Sequence, residues 1–281
     1  MTGTQHAATI SVVVLTLNEA SIIGGCLKSV RWADDVIVVD SGSCDDTLSV
    51  AASLGVRTYL NVPAGPFSIA DQRNWALEHC HISTTWVLFL DADERVTEEL
   101  QNELRAVLSQ DEAYDAYEMT PRYWYLGAWM RRTMHYPNWH PRLVRFGAAR
   151  FAGGVWEHFE AGPRIGRIGT PYEHYGNSKG LSEWLARHDR YSDWDAKTII
   201  EYLDHRDSSS FGTARKLAQR RMAARLWPVR PAARFILMYF VRAGFLDGWQ
   251  ALLFCARYSI YEYMILEKIV EQRRKRMGLP L

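Results

Sequence analysis

The chain has 281 residues, of which 48% are apolar and 23% are charged, and its formal net charge is +1. This composition excludes a disordered chain, and the balanced charge disfavours a nucleic-acid binder. The charge is unevenly distributed, because residues 211–281 carry 14 basic and 4 acidic side chains whereas residues 1–210 carry 19 basic and 28 acidic ones. A basic end on an acidic body indicates an anionic partner such as a membrane surface.

The cysteines and the apolar stretches indicate the cellular compartment. The four cysteines lie far apart without a Cys-x-x-Cys pair, so we expect reduced thiols in a cytosolic protein rather than a zinc site or a disulfide framework. Residues 1–9 contain no Lys or Arg before the first apolar run, so we expect no secretory signal. Charged residues such as Arg242 and Glu262 interrupt the apolar stretches of the basic end, so we expect no membrane-spanning helix.

The first 110 residues alternate between β-branched runs and helical segments. Strands are predicted over residues 10–16, 35–40, 57–60 and 86–90. Helices are predicted over residues 20–30, 45–54, 70–79 and 97–108. Strands joined by helices of this length predict an α/β fold, with a mostly parallel, twisted sheet flanked by helices.

The second half of the chain predicts a change of architecture. Short strands rich in Arg and aromatic residues follow residue 114, and the chain is mostly helical from Gly180. The charge shift and a run of serines at 208–210 predict a boundary between a first domain over 1–210 and a basic helical region over 211–281. Pro228 and Pro231 are expected to break this region before a helix over 249–270.

The predicted helix over 249–270 has an apolar stripe, with Arg257 and Lys268 on its other side. The stripe consists of Leu252, Ala256, Tyr263, Leu266 and Val270. Basic helices with such an apolar side are typical of a membrane interface. The alternative is that the apolar side packs on the first domain or on a second copy of the chain.

Three polar clusters follow predicted strands, at the edge where an open parallel sheet binds its ligands. They are Thr16-Leu17-Asn18-Glu19, Asp40-Ser41-Gly42-Ser43-Cys44-Asp45 and Asp91-Ala92-Asp93. The carboxylates of Asp91 and Asp93 are oxygen ligands of the kind that hold Mg²⁺ or Mn²⁺, and the alternative is that Asp93 caps the next helix. Asp40 is suited to accept a hydrogen bond from a base or a ribose; the alternative is a simple turn with Asp45 as the helix cap.

Four motifs in order carry a resemblance to a known family. They are Val-Leu-Thr-Leu-Asn-Glu (14–19), Val-Val-Asp-Ser-Gly-Ser-Cys-Asp-Asp-Thr (38–47), Gln-Arg-Asn-Trp-Ala-Leu (72–77) and Phe-Leu-Asp-Ala-Asp-Glu (89–94). Residues 10–108 resemble the catalytic domain of family 2 glycosyltransferases, which have the GT-A fold. Segments 142–146, 154–157 and 244–248 are similar to the branch of lipopolysaccharide core β-1,4-glucosyltransferases. The resemblance divides the first domain into a nucleotide-binding half, 10–110, and an acceptor half, 111–210.

The resemblance implies a role for each residue that matches the family pattern. Thr16, Leu17, Asn18 and Glu19 line the nucleotide pocket, and Asp40 contacts the uracil or the ribose. Arg73 meets the nucleotide or diphosphate, the alternative being a surface arginine. The Asp91-Ala92-Asp93 motif contacts the nucleotide sugar; Asp93 binds the metal directly, Asp91 assists, and His174 is a possible further ligand. Glu157 is the candidate base, with Glu160 as the fallback.

The expected function is therefore that of an inverting glycosyltransferase dependent on Mg²⁺ or Mn²⁺. It would move a hexose from a UDP-sugar to a hydroxyl of a lipid-linked or lipopolysaccharide-type glycan. It would lie in the cytoplasm, peripheral on the inner face of the cell membrane and in contact with anionic lipid, with a homo-oligomer possible. The alternatives are a sugar-1-phosphate nucleotidyltransferase and a non-catalytic membrane-bound scaffold. A nucleotidyltransferase normally has a Gly-rich loop after its first strand, where this chain has Thr16–Glu19. This difference counts against the first alternative.

Overall fold

The computed structural model of the chain describes residues 8–65, 68–110, 113–153, 157–205, 222 and 224–281. It divides into two units. The first comprises Met1–Arg122 and Pro137–Ser178, and the second comprises Tyr123–Tyr136 and Lys179–Leu281. The predicted boundary near residue 210 lies outside the described residues and stays a prediction, although the helix Gly180–His205 before it already belongs to the second unit.

A seven-stranded sheet forms the centre of the first unit. The strands of the described residues are β1 (Ile10–Thr16), β2 (Asp35–Asp40), β3 (Arg57–Leu60), β4 (Trp86–Asp91), β5 (Glu94–Arg95), β6 (Ala116–Met119), β7 (Pro121–Tyr125), β8 (Ala128–Trp129), β9 (His140–Arg145), β10 (Phe151–Ala152), β11 (His158–Phe159), β12 (Ile165–Arg167) and β13 (Tyr172–His174). The sheet has the order β12-β6-β9-β4-β1-β2-β3. Strands β4, β1, β2 and β3 are parallel, whereas β9 runs antiparallel to both of its neighbours. The sheet is therefore mostly parallel.

Helices cover both faces of this sheet because its central strands are apolar on both sides. The helices of the first unit are α1 (Ile23–Ser29), α2 (Thr47–Ser53), α3 (Ile69–His79) and α4 (Glu98–Gln110). All seven residues of β1 are buried. Val12 and Val14 pack in the cluster that contains α1, α2 and α4, whereas Val13 and Leu15 pack in the cluster that contains α3. The alternation of side chains along each strand thus builds two cores.

The predicted strands agree with the structure, while three of the four helices begin one to three residues later than predicted and α3 begins one residue earlier. The first three strands agree to the residue, and β4 extends by one residue to Asp91. Helix α2 begins at Thr47 because the carboxylate of Asp45 accepts a hydrogen bond from the Thr47 amide (3.0 Å) and so lies in the preceding turn. Thr97 caps α4, since its Oγ1 accepts from the Leu100 amide (3.2 Å), and the alternative that Asp93 is this cap is wrong.

Two short antiparallel pairings of strands lie outside the main sheet of the first unit. Strand β10 pairs with β11, with Phe151 opposite Phe159. Strand β13 pairs with β5, with His174 opposite Glu94. The second pairing brings residues that are eighty positions apart to the carboxyl end of β4, where the acidic motif lies.

The second unit is built from helices and one hairpin. Its helical elements are α5 (Gly180–His205), a 3₁₀ turn (Trp227–Val229), α6 (Arg230–Phe235), a π-helical segment (Ile236–Val241), a second 3₁₀ turn (Gly244–Asp247) and α7 (Gln250–Arg276). Ile199 and Ile200 of α5 pack against Ile265 and Ile269 of α7. Pro231 lies in the first turn of α6, where its missing N–H costs no helical hydrogen bond, so it begins a helix here rather than breaking one.

Helix α7 is apolar on two sides, and this corrects the predicted single stripe. The buried side contains Ala251, Phe254, Cys255, Ile265 and Ile269. Leu252, Tyr263 and Val270, which belong to the predicted stripe, are exposed. Arg257, predicted on the polar side, is buried because its guanidinium lies over the rings of Tyr125 (4.6 Å) and Trp184 (4.5 Å). Over the described residues, no helix combines the length and the hydropathy required to cross a bilayer.

Candidate active site

The loops that follow β1 and β2 are tied together at the edge of the sheet. The Asn18 amide donates to Ser43 Oγ (2.7 Å), and the Cys44 amide donates to Asn18 Oδ1 (2.8 Å). Asn18 has a φ of 55°, in the left-handed region that asparagine tolerates better than most residues. The side chain of Asn18 therefore fixes the position of the second loop relative to the first.

The four residues predicted to line the nucleotide pocket lie at the end of β1 and in the loop that follows it. Thr16 ends the strand and is buried, whereas Leu17 is exposed. Glu19 is half-buried, and its amide donates to Thr47 Oγ1 at the start of α2 (2.7 Å). Leu17 thus offers an apolar surface at the sheet edge that suits the flat face of a base. The lining role of these residues stays a prediction.

The carboxylate of Asp40 is fully buried and holds its own loop. Its Oδ2 accepts from the amides of Gly42 (2.9 Å) and Ser43 (2.7 Å), and its Oδ1 accepts from Ser43 Oγ (2.5 Å). Gly42 has a φ of 100°, and a Cβ there would lie 3.1 Å from Val62, so the turn requires glycine. A carboxylate has about four acceptor positions, of which this loop uses three. Contact of Asp40 with uracil or ribose stays a prediction.

Arg73 is fully buried on helix α3, so the alternative of a surface arginine is wrong. Its Nη1 donates to the carbonyl of Pro141 (2.9 Å) and lies 2.7 Å from Glu157 Oε2. Its Nη2 lies 3.8 Å from Asp91 Oδ1. The rings of Phe89 and Phe151 flank the guanidinium. Arg73 therefore links the acidic motif to Glu157 inside the unit, and its predicted contact with the nucleotide or diphosphate stays a prediction.

Arg142 is a second buried arginine, and it contacts the acidic motif directly. Its Nη2 donates to Glu94 Oε1 (2.6 Å) and to Asp91 Oδ2 (3.2 Å), and its Nε donates to the hydroxyl of Tyr172 (3.3 Å). The other oxygen of Glu94 accepts from the Asp91 amide (3.0 Å). Burial, together with the negative charges of Asp91 and Asp93, raises the pKa of Glu94 above its ordinary range. The positive charge of Arg142 offsets the negative charges of these neighbouring carboxylates.

Glu157, the predicted base, is buried between the two arginines. Its Oε2 lies 2.7 Å from Arg73 Nη1, and its Oε1 lies 3.5 Å from Arg142 Nη1. Burial raises the pKa of Glu157 to about 7, and the positive charge of Arg142 opposes the shift. Glu160, the fallback, is exposed. The carboxyl of Glu157 is thus poised to change protonation state near neutral pH.

Asp93 lies beside His174. Its Oδ2 is 3.5 Å from His174 Nε2, and its carbonyl accepts from the Tyr175 amide (2.9 Å). The other ring nitrogen of His174 is 3.7 Å from Glu94 Oε1. Ala92, between the two aspartates, is buried in the core of the sheet. The two aspartates therefore have different neighbours, with Asp91 beside arginines and Asp93 beside a histidine.

The donor set of this edge fits a hard divalent cation. Among the described residues, no group of three or more His, Cys, Asp or Glu side chains forms a complete metal cage. Mg²⁺ is usually held by one or two carboxylates together with substrate phosphates, and Mn²⁺ accepts similar ligands and imidazole. Asp93 supplies a carboxylate oxygen and His174 an imidazole nitrogen, and the two side chains are neighbours. These residues therefore fit a cation that takes its remaining ligands from a diphosphate.

The structure brings most of the predicted residues into one network and adds residues that sequence reasoning missed. Arg73, Asp91 and Glu157 are joined, and Asp93 lies next to His174. Asp40 and Asn18 lie in the neighbouring loops, where they bond to the chain itself. Arg142, Glu94 and Tyr172 had no predicted role. The signal for Arg142 was a charged residue between Pro141 and Leu143 in the interior of a strand, because burying a charge requires a partner.

A comparison with known families decides the class of the protein. The model of the family described as glycosyl transferase family 2 matches residues 11–174. The chain belongs to this family. It is therefore a glycosyltransferase with the nucleotide-sugar-binding GT-A fold, so the predicted family, fold class and enzyme class are confirmed and the two alternatives are disfavoured.

Individual relatives support the same class. An uncharacterized glycosyltransferase of Rickettsia typhi is 26% identical over 93% of this chain and 87% of its own length. One of Rickettsia felis is 35% identical, but the match spans 39% of this chain and 38% of that protein. The lipopolysaccharide core biosynthesis glycosyltransferase LpsC of Rhizobium meliloti is 24% identical over 68% of this chain and 72% of its own length.

Solved structures include a more distant neighbour. The chain is similar to glucosyl-3-phosphoglycerate synthase from Mycobacterium tuberculosis, whose crystal structure holds Mn²⁺, UDP and glucosyl-3-phosphoglycerate. The TM-score is 0.46 and the sequence identity is 20%, over 64% of this chain and 75% of that one.

Replacing Arg142 should destabilise the first unit. In Arg142→Met the carboxylates of Glu94 and Glu157 lose a buried cation, so we expect the free energy of unfolding to fall by about 3 kcal/mol. Arg167→Met is the matched control, because Arg167 pairs with Glu118 at the surface and should contribute less than about 1 kcal/mol. Urea unfolding of both variants makes the measurement, and equal losses would show that Arg142 is not the central cation.

Proposed function

We propose that this glycosyltransferase moves a hexose from a UDP-sugar to a hydroxyl of a lipid-linked or lipopolysaccharide-type glycan, with inversion at the anomeric carbon. The observation that carries the proposal is the carboxyl of Glu157. It is buried, its pKa is raised to about 7, and two arginines link it to the acidic motif at the carboxyl end of β4. A carboxylate with this pKa is suited to accept a proton from a hydroxyl at neutral pH.

The transfer is a single in-line displacement. The acceptor oxygen forms a bond to the anomeric carbon as the bond between that carbon and the UDP oxygen breaks. Glu157 takes the proton that the acceptor hydroxyl loses, so the acceptor does not carry a positive charge. An α-linked donor then gives a β-linked product.

The leaving diphosphate requires positive charge at the same edge of the sheet. Arg73 and Arg142 lie there, but both are paired with carboxylates, so Asp91, Glu94 and Glu157 already offset their positive charges and the diphosphate needs a further cation. Asp93 and His174 are the residues that would hold Mg²⁺ or Mn²⁺, with Asp91 assisting. When bound, the cation supplies Lewis-acid neutralisation of the leaving diphosphate.

The acceptor class rests on similarity and on charge. The Rhizobium relative is named for lipopolysaccharide core biosynthesis. The basic end of the chain, with 14 basic and 4 acidic side chains over residues 211–281, suits an acceptor that carries or adjoins negative charge. Neither observation distinguishes one hexose from another, so a panel of nucleotide sugars identifies the donor.

The assignment of the base is tested by Glu157→Gln, with Glu160→Gln as the matched control. The amide cannot accept the acceptor proton, so we expect kcat of Glu157→Gln to fall by about 10²- to 10⁴-fold while the nucleotide sugar still binds. Glu160 is exposed and three residues away, so its variant should stay within about twofold of the unchanged protein. UDP release measures turnover, and a loss confined to Glu160→Gln would transfer the role of base to that residue.

The pH dependence of turnover follows from the raised pKa of Glu157. Protonated Glu157 cannot accept a proton, so kcat/KM should decline as the pH falls below about 7 and level off above it. A carboxyl with an ordinary pKa would keep its activity down to about pH 5. A profile that is flat from pH 5 to pH 8 would mean that the rate does not depend on this carboxyl.

The metal assignment is tested with thermal unfolding in the presence of UDP. We expect Mn²⁺ to increase the stabilisation given by UDP, and Asp93→Ala to abolish this increase, because a ligand that binds the folded state stabilises it by RT ln(1 + [L]/Kd). Asp189→Ala is the control, since this exposed aspartate lies on α5 of the second unit. If Asp93→Ala retained the full response to Mn²⁺, the cation would be held elsewhere.

A further inference from the structure

The second unit exposes a ridge of large apolar side chains between α6 and the start of α7. The ridge consists of Phe240 (57% exposed), Val241 (71%), Phe245 (47%), Leu246 (58%) and Trp249 (67%). Contiguous exposed apolar surfaces on soluble domains mark sites of interaction with a protein or a membrane. The ridge therefore requires an explanation beyond the packing of the unit.

Backbone hydrogen bonds give the ridge a defined shape. The Ala243 amide donates to the Phe240 carbonyl (3.0 Å), and the Leu246 amide donates to the Ala243 carbonyl (3.0 Å). The Tyr239 ring lies 5.2 Å from that of Phe240 and 6.1 Å from that of Phe245. The apolar side chains are thus presented on consecutive short helical turns rather than on an extended loop.

The core of the second unit does not depend on the ridge. Met238, Ala251, Phe254 and Cys255 come from the same stretch of chain and pack inwards in one cluster. The ridge side chains come from the same elements and stay exposed. The stretch consequently has two apolar sides, of which the inner one stabilises the unit and the outer one is available for a partner.

The net charge of the second unit suits an anionic partner. Residues 224–281 carry ten basic and four acidic side chains. Two of the acids are engaged within the unit. The Asp247 carboxylate accepts from the amides of Arg132 (2.8 Å) and Thr133 (2.7 Å), and the buried Glu262 lies 2.6 Å from both Arg230 and Arg234. Lys268 and Arg276 pair with aspartates of α5, and the second unit as a whole keeps an excess of positive charge, with 21 basic and 11 acidic side chains over residues 123–136 and 179–281.

We propose that the ridge inserts into the interface of an anionic lipid bilayer, with the basic side chains of the second unit contacting the head groups. Trp and Phe next to Leu and Val, with Arg242 among them, are the composition of elements that lie in this interface. Anionic lipid attracts the basic residues, while the apolar side chains supply the binding that does not depend on charge. The protein would then lie peripherally on a cytoplasmic membrane face, whichever sugar donor it uses.

Vesicle flotation of the full chain tests the proposal. We expect the unchanged protein to bind phosphatidylcholine vesicles containing phosphatidylglycerol at least tenfold more tightly than vesicles of phosphatidylcholine alone. The triple variant Val241→Ser, Leu246→Ser and Trp249→Ser should bind the anionic vesicles at least tenfold more weakly than the unchanged protein does. The matched control is Leu181→Ser with Ile165→Ser, two exposed apolar residues outside the ridge, and it should bind as the unchanged protein does.

Several results would overturn the proposal. One is equal binding by the triple variant and the unchanged protein, and another is failure of the unchanged protein to bind anionic vesicles. The other possible occupant of the ridge is a second copy of the chain, and sedimentation velocity tests this alternative. A dimer that the triple variant abolishes, together with no vesicle binding by the unchanged protein, would assign the ridge to that second copy. Thermal unfolding of the triple variant verifies that it is folded, and turnover on a soluble acceptor analogue remains a separate measure of the active site.

Discussion

The pairing of two buried arginines with three carboxylates is the interaction on which the active site depends. Arg142 binds Asp91 and Glu94, and Arg73 lies against Glu157. Charges of one sign could not be buried at this density, because each unpaired ion would cost several kcal/mol. The network thus keeps the acidic motif at the carboxyl end of β4 within the fold, and it fixes Glu157 near that motif.

This arrangement relates stability to chemistry. The same burial that makes the arginines necessary raises the pKa of Glu157 to about 7, which suits a base for a hydroxyl. Asp93 lies beside His174, and these two residues are the ones that we propose as metal ligands. In the proposed assignment, one edge of the sheet holds both the group that takes the proton, Glu157, and the groups that would bind a metal, Asp93 and His174.

The sequence predicts the parts of the molecule that local patterns determine. Four β-branched runs identify the parallel strands, and ordered motifs identify the family. The role of Arg142 depends on β9 lying antiparallel to β4, a pairing of segments about fifty residues apart that no local pattern contains. Likewise, Arg257 was assigned to the polar side of α7 because helical spacing does not reveal the aromatic rings that cover it. The predicted roles of Asp40 and Leu17 await a bound nucleotide.

A crystal structure with UDP and Mn²⁺ tests the central claim most directly, because the anomalous signal of manganese locates the cation without reference to the protein. The account predicts one peak beside Asp93 and His174, bridged to the diphosphate, with Glu157 still adjacent to Arg73. A cation bound at another edge of the sheet, or a diphosphate away from the carboxyl end of β4, would contradict it.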